Sequence, residues 1–466
     1  MTDLAFDQTP LAGPPTIDWR AAEAAVIDHL VNLIRIDTSN PPGNELAAAT
    51  YLRAVLRNEG IEPTVLEMAQ GRANLVARLK GDGSKGPLLF LGHTDVVPAE
   101  PDGWSHGPFN ADVADGFIWG RGAVDMKHIV AAMLTAFLLA KRHRLPLRRD
   151  LIFAATADEE SAGESGAGWL FRSHPELVNC EVAITEGGQT LTYNGVQYFL
   201  AELGQKGWLT VDLVRRSRAQ HSSIATRANC LYAIGEILER LSRRRFPHRA
   251  TRYARAFFEQ LAADQRADGE TLLGLLNPAI FESALERLAC EEEIKSRFEA
   301  MLHSHATPTL LRGGETTWAV PERATLRLAG RVLPGESQSN WLDELEQIIG
   351  PLGEYSVSDF DPGIESPRGA EALDRLTVIL GRHSPGTRVL PSLSAAGGDA
   401  RHPLLAGATT FCPFHLRPDG NMPDMLALAH GRNERISSRN LLTCTAIAWD
   451  VLCMESNIPL GPVPEA

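Results

Sequence analysis

The feature that most constrains this chain is a series of short apolar runs, NLVARL, PLLFLG, DLIFAAT and EVAIT, separated by connections that often carry helical patterns. Runs of four to eight residues rich in Val, Ile, Leu and Phe, alternating with helices, predict an α/β sheet. Strands apolar on both faces predict that it is largely parallel and covered by helices on both sides. DWRAAEAAVIDHLVNLIRI and ELAAATYLRAVLRNEG supply two helices early in the chain, with SNPPGN as the break between them.

From about Gly204 the pattern changes. WLTVDLV alternates as a half-exposed strand, CLYAIGEILERL reads as a helix, ATLRLAGRVLP as another strand and NWLDELEQIIG as another helix. DRLTVILGRH and ATTFCPF then resume α/β patterning. The expected layout is a main domain of residues 1–203 and 366–466, with a smaller α+β lid of 204–365 inserted into it.

Composition narrows the partners. The 45 Lys and Arg against 58 Asp and Glu leave a formal charge of -13, which repels a phosphate backbone and argues against nucleic acid. The apolar run Ile129 to Ala140 is too short for a membrane span. Six scattered cysteines without a CxxC pair read as reduced core residues, and the N-terminal residues lack the basic, then apolar pattern of a secretory signal. A cytoplasmic protein is expected.

Two motifs fail their context. GDGSKG at 81–86 matches GxGxxG but precedes a strand instead of following one, so a hairpin turn is expected. GESGA at 163–167 lacks the last glycine of the GxSxG nucleophile elbow and reads as a turn entering a helix. A serine hydrolase using Ser165 would survive chelation and fail on Ser165→Ala.

The acidic and imidazole groups at the strand ends are more telling. PLLFLG leads to His93 and Asp95, DLIFAAT to Asp158, Glu159 and Glu160, and EVAIT to Glu186. In open α/β sheets the crevice beyond the carboxyl ends of the strands is where ligands bind, so these side chains are expected to converge. So many carboxylates in one place repel one another unless cations sit among them. Asp125, in GRGAVDMKH at a helix entrance, is a fifth candidate. Mixed His and carboxylate ligands suit zinc, or cobalt or manganese, better than calcium.

GHTDVVP, WGRGAVDMK, ADEES, TEGG and AHGRNE, in this order, resemble the M20 family of metallopeptidases and amidohydrolases across nearly the whole chain. The resemblance implies two zinc ions bridged by Asp125 and a water, with His93 and Glu186 on one ion and Glu160 and His430 on the other. It implies that Asp95 orients His93 by a hydrogen bond, that Glu159 is the general base, and that the Asp125–Met126 peptide is cis. His221 in RAQHSS is then the lid histidine that meets the carbonyl oxygen in a partner subunit's site. Arg331 in AGRVLPG binds the substrate carboxylate, with Gly397 beside the substrate. A homodimer through the lid is implied, acting on a small N-acyl amino acid or peptide. The expected reaction is hydrolysis of its amide bond, releasing an amino acid with a free carboxylate. A dipeptidase or carboxypeptidase rather than a deacylase, and a non-catalytic dimeric binding homologue, stay open as alternatives.

The chain departs from the family pattern around the substrate. His128 replaces a glycine, SAAGGDARH lacks a threonine, Trp318 replaces an asparagine, and Arg243 to His305 is longer than the lid usually needs.

Overall fold

The computed structural model describes residues 15–161, 163, 165–224, 226–417, 419 and 428–464. By contact the chain divides into a first unit, Met1–Gln189 with Ala370–Thr387 and Leu405–Ala466, and a second, Thr190–Gly369 with Arg388–Leu404.

The first unit is built on a six-stranded sheet ordered Thr64–Ala69, Arg72–Leu79, Leu151–Thr156, Leu88–His93, Val182–Ile184 and Thr409–Phe411. The first two pairings are antiparallel and the other three parallel, which makes the sheet mixed and largely parallel. Leu88–His93 and Leu151–Thr156 are buried at every position, so both faces must be covered. On one face Leu89, Leu91, Ile152 and Ala154 pack with Leu170 and Val178. Phe137, from the helix Lys127–Arg142, lies against Phe153. That helix is buried from Lys127 to Ala140, and Lys141 and Arg142 in its last turn suit the negative end of its dipole.

GDGSKG is not a hairpin turn. Arg72–Leu79 and Leu88–His93 both pair with Leu151–Thr156, on opposite edges of it, so residues 80–87 cross past that strand. Asp82 and Lys85 donate their backbone N–H groups to Leu147 and Arg148, which lead into it. GESGA does enter a helix, Ala167–Ser173. Gly166 is obligatory there, since a Cβ would lie 1.8 Å from the carbonyl oxygen of Ala157.

The second unit contains an antiparallel sheet ordered His305–Gly313, Arg323–Val332, Gly207–Arg216 and Glu354–Asp361. Arg323–Val332 alternates buried with more exposed positions, the mark of a sheet covered on one face. Its buried side, with Leu209, Val211 and Leu213, packs against Ile234 and Ile237 of the helix Cys230–Arg243 and Trp341 and Leu345 of Gln338–Ile349. Strand Arg388–Ser394 pairs in parallel with Val196–Gln205. The long segment after Arg243 is a helical layer with its own core, in which Phe257, Phe258, Phe281 and Phe298 pack against Tyr198, Leu200 and Leu390.

Candidate metal centre

Three strands of the parallel part of the sheet deliver side chains to their carboxyl ends. His93 is the last residue of Leu88–His93 and is fully buried. Glu186 follows Val182–Ile184 by two residues, and Glu159 and Glu160 follow Leu151–Thr156. Asp125 stands before the helix Lys127–Arg142, and the Asp125–Met126 peptide is cis. His430 comes from the far end of the chain in a left-handed conformation, φ 61°.

These side chains form two groups that share one member. His93 Nε2 lies 3.3 Å from Asp125 Oδ1 and 3.3 Å from Glu186 Oε1. His430 Nε2 lies 3.2 Å from Asp125 Oδ2 and 3.0 Å from Glu160 Oε2. The donor atoms within each trio, His93–Asp125–Glu186 and Asp125–Glu160–His430, all lie within 4.8 Å of one another. Asp125 thus offers one oxygen to each trio. Glu159 belongs to neither, its Oε2 being 3.9 Å from His93 Nε2.

The charges are unbalanced in a way that favours cations. Burial pushes the Glu186 carboxyl up to about 7. His430 is raised to about 10 by its hydrogen bonds to Asp125 and Glu160. His93 is buried, which alone would lower it, yet Glu186, Asp125 and Asp95 hold it well above its ordinary value. Despite its own burial, Asp125 is held below the usual carboxylate range by the two histidines. Protons on histidine here do what divalent cations would do better. Among the described residues, His93 Nε2 and Glu160 Oε1 are buried without a hydrogen bond of good geometry, as ligand atoms aimed at an ion would be. The donor set, two imidazoles and three carboxylates, fits a pair of divalent transition-metal ions.

Asp95 does more than its sequence position suggests. His93 Nδ1 lies 3.0 Å from the Asp95 carbonyl oxygen and 3.4 Å from Asp95 Oδ1, which fixes the ring with Nε2 toward Asp125 and Glu186. The same carboxylate accepts the backbone N–H groups of Glu159 at 3.2 Å and Glu160 at 3.1 Å, and the Asn40 side-chain amide at 2.8 Å. Asp158, at φ 67°, is held by Arg72 at 2.7 Å and Asn40 at 3.1 Å, and Arg72 also pairs with the buried Glu45.

Asn40, Glu45 and Arg72 carry no local signal of burial in the sequence, where SNPPGN has the composition of a turn. Lys127 is another such residue. Fully buried, it caps the carbonyls of Leu33 and Ile36 at 2.9 Å each, and burial lowers its amine to about 7.

Residues 89–452 match the family described as Peptidase family M20/M25/M40. The chain belongs to this family. Among the relatives of this M20 hydrolase is a probable carboxypeptidase S-like 2 of Dictyostelium discoideum, 26% identical over 381 residues, which are 79% of this chain and 71% of the relative. The N-fatty-acyl-amino acid synthase/hydrolase PM20D1 of Xenopus tropicalis is 27% identical over 387 residues, 80% of this chain and 73% of the relative. The M20 family metallo-carboxypeptidase Sso-CP2 from Sulfolobus solfataricus shares the fold, with a TM-score of 0.71 at 19% identity over 93% of this chain and 99% of that one. The M20 hydrolase is a metal-dependent enzyme by membership of this group. No helix among its described residues is long and apolar enough to cross a membrane.

The other residues expected at the site lie in the second unit. His221 is exposed on the short strand Gln220–His221, where its Nδ1 accepts from the backbone N–H of Ser223 at 3.2 Å. Arg331 is half-buried in Arg323–Val332 and makes no ion pair among the described residues. Gly397 packs on the Trp208 ring so closely that a Cβ would lie 2.3 Å from it. Trp318 is 70% exposed. His128, in the first unit, is buried, and burial lowers it to about 3.

Proposed function

We propose that this M20 enzyme hydrolyses the amide bond of an N-acyl amino acid or short peptide and releases an amino acid with a free carboxylate, using two divalent ions, zinc by preference. The observation that carries the reading is the sharing of Asp125 between the two ligand trios. His93 and Glu186 would hold one ion with Asp125, and Glu160 and His430 the other. Bound there, the ions would supply Lewis acidity and lower the pKa of a water at the site.

The remaining work falls to the chain itself. Glu159 stands beside the trios without belonging to either, the place for a general base that takes the proton of the attacking water and returns it to the leaving nitrogen. Asp95 orients both His93 and the Glu159–Glu160 backbone. Arg331 would clamp the substrate carboxylate, a task suited to its bidentate fork and its lack of an ion-pair partner among the described residues. Gly397 would stand beside the substrate, its lack of a side chain being required by the Trp208 ring that packs on it. His221, with Nδ1 accepting and Nε2 left to donate, would stabilise the oxyanion in a partner's site.

That last role needs a homodimer. Exposed Ile224, Leu231 and Tyr232 around a groove of about 590 Å³ and the exposed edge strand His305–Gly313 support one. A cytoplasmic location is supported by six cysteines that form no disulfide. The substrate class is supported by relatives named as an N-fatty-acyl-amino acid synthase/hydrolase and a succinyl-diaminopimelate desuccinylase.

The test is to strip the protein with a chelator and restore it with zinc, cobalt or manganese. N-acetyl, N-succinyl and long-chain N-acyl amino acids are then assayed beside dipeptides. Activity that survives chelation, or that fails on Ser165→Ala, sinks the reading. Light scattering that shows a monomer at assay concentration removes the role of His221.

A further inference from the structure

The ligands Asp125 and His430 lie far apart in sequence, and one buried ion pair holds both. Strand Arg435–Ser437 pairs with Phe117–Trp119, and the Glu434 carbonyl continues that pairing by accepting the Gly120 N–H at 2.9 Å. The pairing brings the fully buried Glu434 carboxylate against the chain that leads to Asp125. Its Oε1 accepts the backbone N–H groups of Val124 at 2.7 Å and Asp125 at 3.0 Å. Its Oε2 lies 2.5 Å from Arg121 Nη1. Arg121 Nη2 donates to the His430 carbonyl oxygen at 3.1 Å.

A carboxylate buried next to Asp125 is electrostatically unfavourable unless paired, and Arg121, 3% exposed, is the pair. The pair is also a strap. One end fixes the backbone amide of Asp125, and the other fixes the backbone of His430 in its left-handed conformation. The geometry points to Glu434 and Arg121 as positioning residues that set the Asp125–His430 separation, and with it the affinity for the ion that Asp125, Glu160 and His430 would hold. This rests on the two-ion reading above. Partners of this kind act through the ligands they orient, and their loss weakens metal affinity by about 10–100-fold.

Glu434→Gln is the sharpest variant. The glutamine oxygen can still accept from Val124 and Asp125, but its NH₂ would face the Arg121 guanidinium, donor against donor. Arg121→Lys keeps the charge and cannot reach both Glu434 and the His430 carbonyl in the same planar fork. Glu455→Gln, which removes the buried charge that pairs with Arg149 and Arg375 in the same unit, is the control for loss of a buried ion pair as such.

The experiment titrates chelator-treated wild type, Glu434→Gln, Arg121→Lys and Glu455→Gln with zinc against a competing indicator. Absorption spectra of the cobalt-loaded proteins and thermal unfolding are recorded alongside. The expected result is two ions in wild type and Glu455→Gln, with one ion about 10–100-fold weaker and an altered cobalt spectrum in Glu434→Gln and Arg121→Lys. Wild-type affinities and spectrum in both strap variants overturn the inference, as does an equal loss of affinity in Glu455→Gln. Should Glu434→Gln fail to fold, Arg121→Lys decides alone. A wild type that binds no second ion sinks the two-ion reading instead.

Discussion

The carboxylate of Asp95 accepts the backbone N–H of Glu159 at 3.2 Å, so the residue that orients His93 also holds the backbone of Glu159, the proposed base. In Asp95→Asn one oxygen becomes an NH₂ group and cannot accept from both Glu159 and Glu160. We expect kcat to fall by about 10–100-fold, with a loss of metal affinity of similar size. Steady-state kinetics and a zinc titration check this. A variant with wild-type kcat would show that His93 and Glu159 are positioned by other means.

Glu159 and Glu160 are adjacent in sequence, yet only Glu160 belongs to one of the two trios, and the proposed mechanism gives them separate roles. Glu159→Gln keeps the shape of the side chain and cannot take a proton. The expected outcome is a drop in kcat of about 10²–10⁴ with two ions still bound. Full activity on the best substrate rules Glu159 out as the base.

Arg72 holds the loop on which these residues sit, pairing with Glu45 at 2.8 Å and Asp158 at 2.7 Å. Arg72→Met leaves the fully buried Glu45 carboxylate without its cation, and breaking such a pair costs about 3–5 kcal/mol. Urea unfolding measures it, and a loss below about 1 kcal/mol, the scale of an exposed pair, would contradict the account.

How much of this was legible follows from range. His93, Asp125, Glu160 and Glu186 stand directly after apolar runs or before a helix, and a run of Leu and Phe signals a buried strand through neighbours alone. Glu45 and Arg72 are 27 residues apart, and Arg72 and Asp158 are 86. No local pattern distinguishes such charges from solvated ones, because their burial is decided by the fold. The misreading of GDGSKG has the same origin. Its composition is that of a turn, but the strand between its two neighbours comes from residues 151–156, beyond any window read there. His430 and Arg331 were visible only through likeness to the family, since neither lies at the end of an apolar run.

Metal uptake should depend steeply on pH. His430 is raised to about 10 by Asp125 and Glu160, so at neutral pH a cation must displace its proton. Apparent affinity for the ion at that trio is expected to rise about tenfold per pH unit up to about 10, with proton release measurable in weakly buffered solution. The linkage has the opposite sign without a cation. A histidine raised above its ordinary value stabilises the fold below about 6.5, and that contribution is lost as pH rises through about 10. Flat affinity between pH 6 and 9 would mean that His430 is not displaced from its proton on binding.

Arg331 is a test of substrate class. Its guanidinium is half-buried in the second unit with no ion-pair partner among the described residues, an arrangement that is costly unless an anion arrives. If that anion is the substrate carboxylate, Arg331→Met removes a charged hydrogen bond present in ground and transition states alike. KM should then rise by about 10–100-fold with kcat within a few-fold. A substrate whose carboxylate is replaced by a carboxamide should be a poor one for the wild type and lose little further in the variant. Equal losses on both substrates would show that Arg331 acts through the sheet it sits in and leaves the carboxylate to another group.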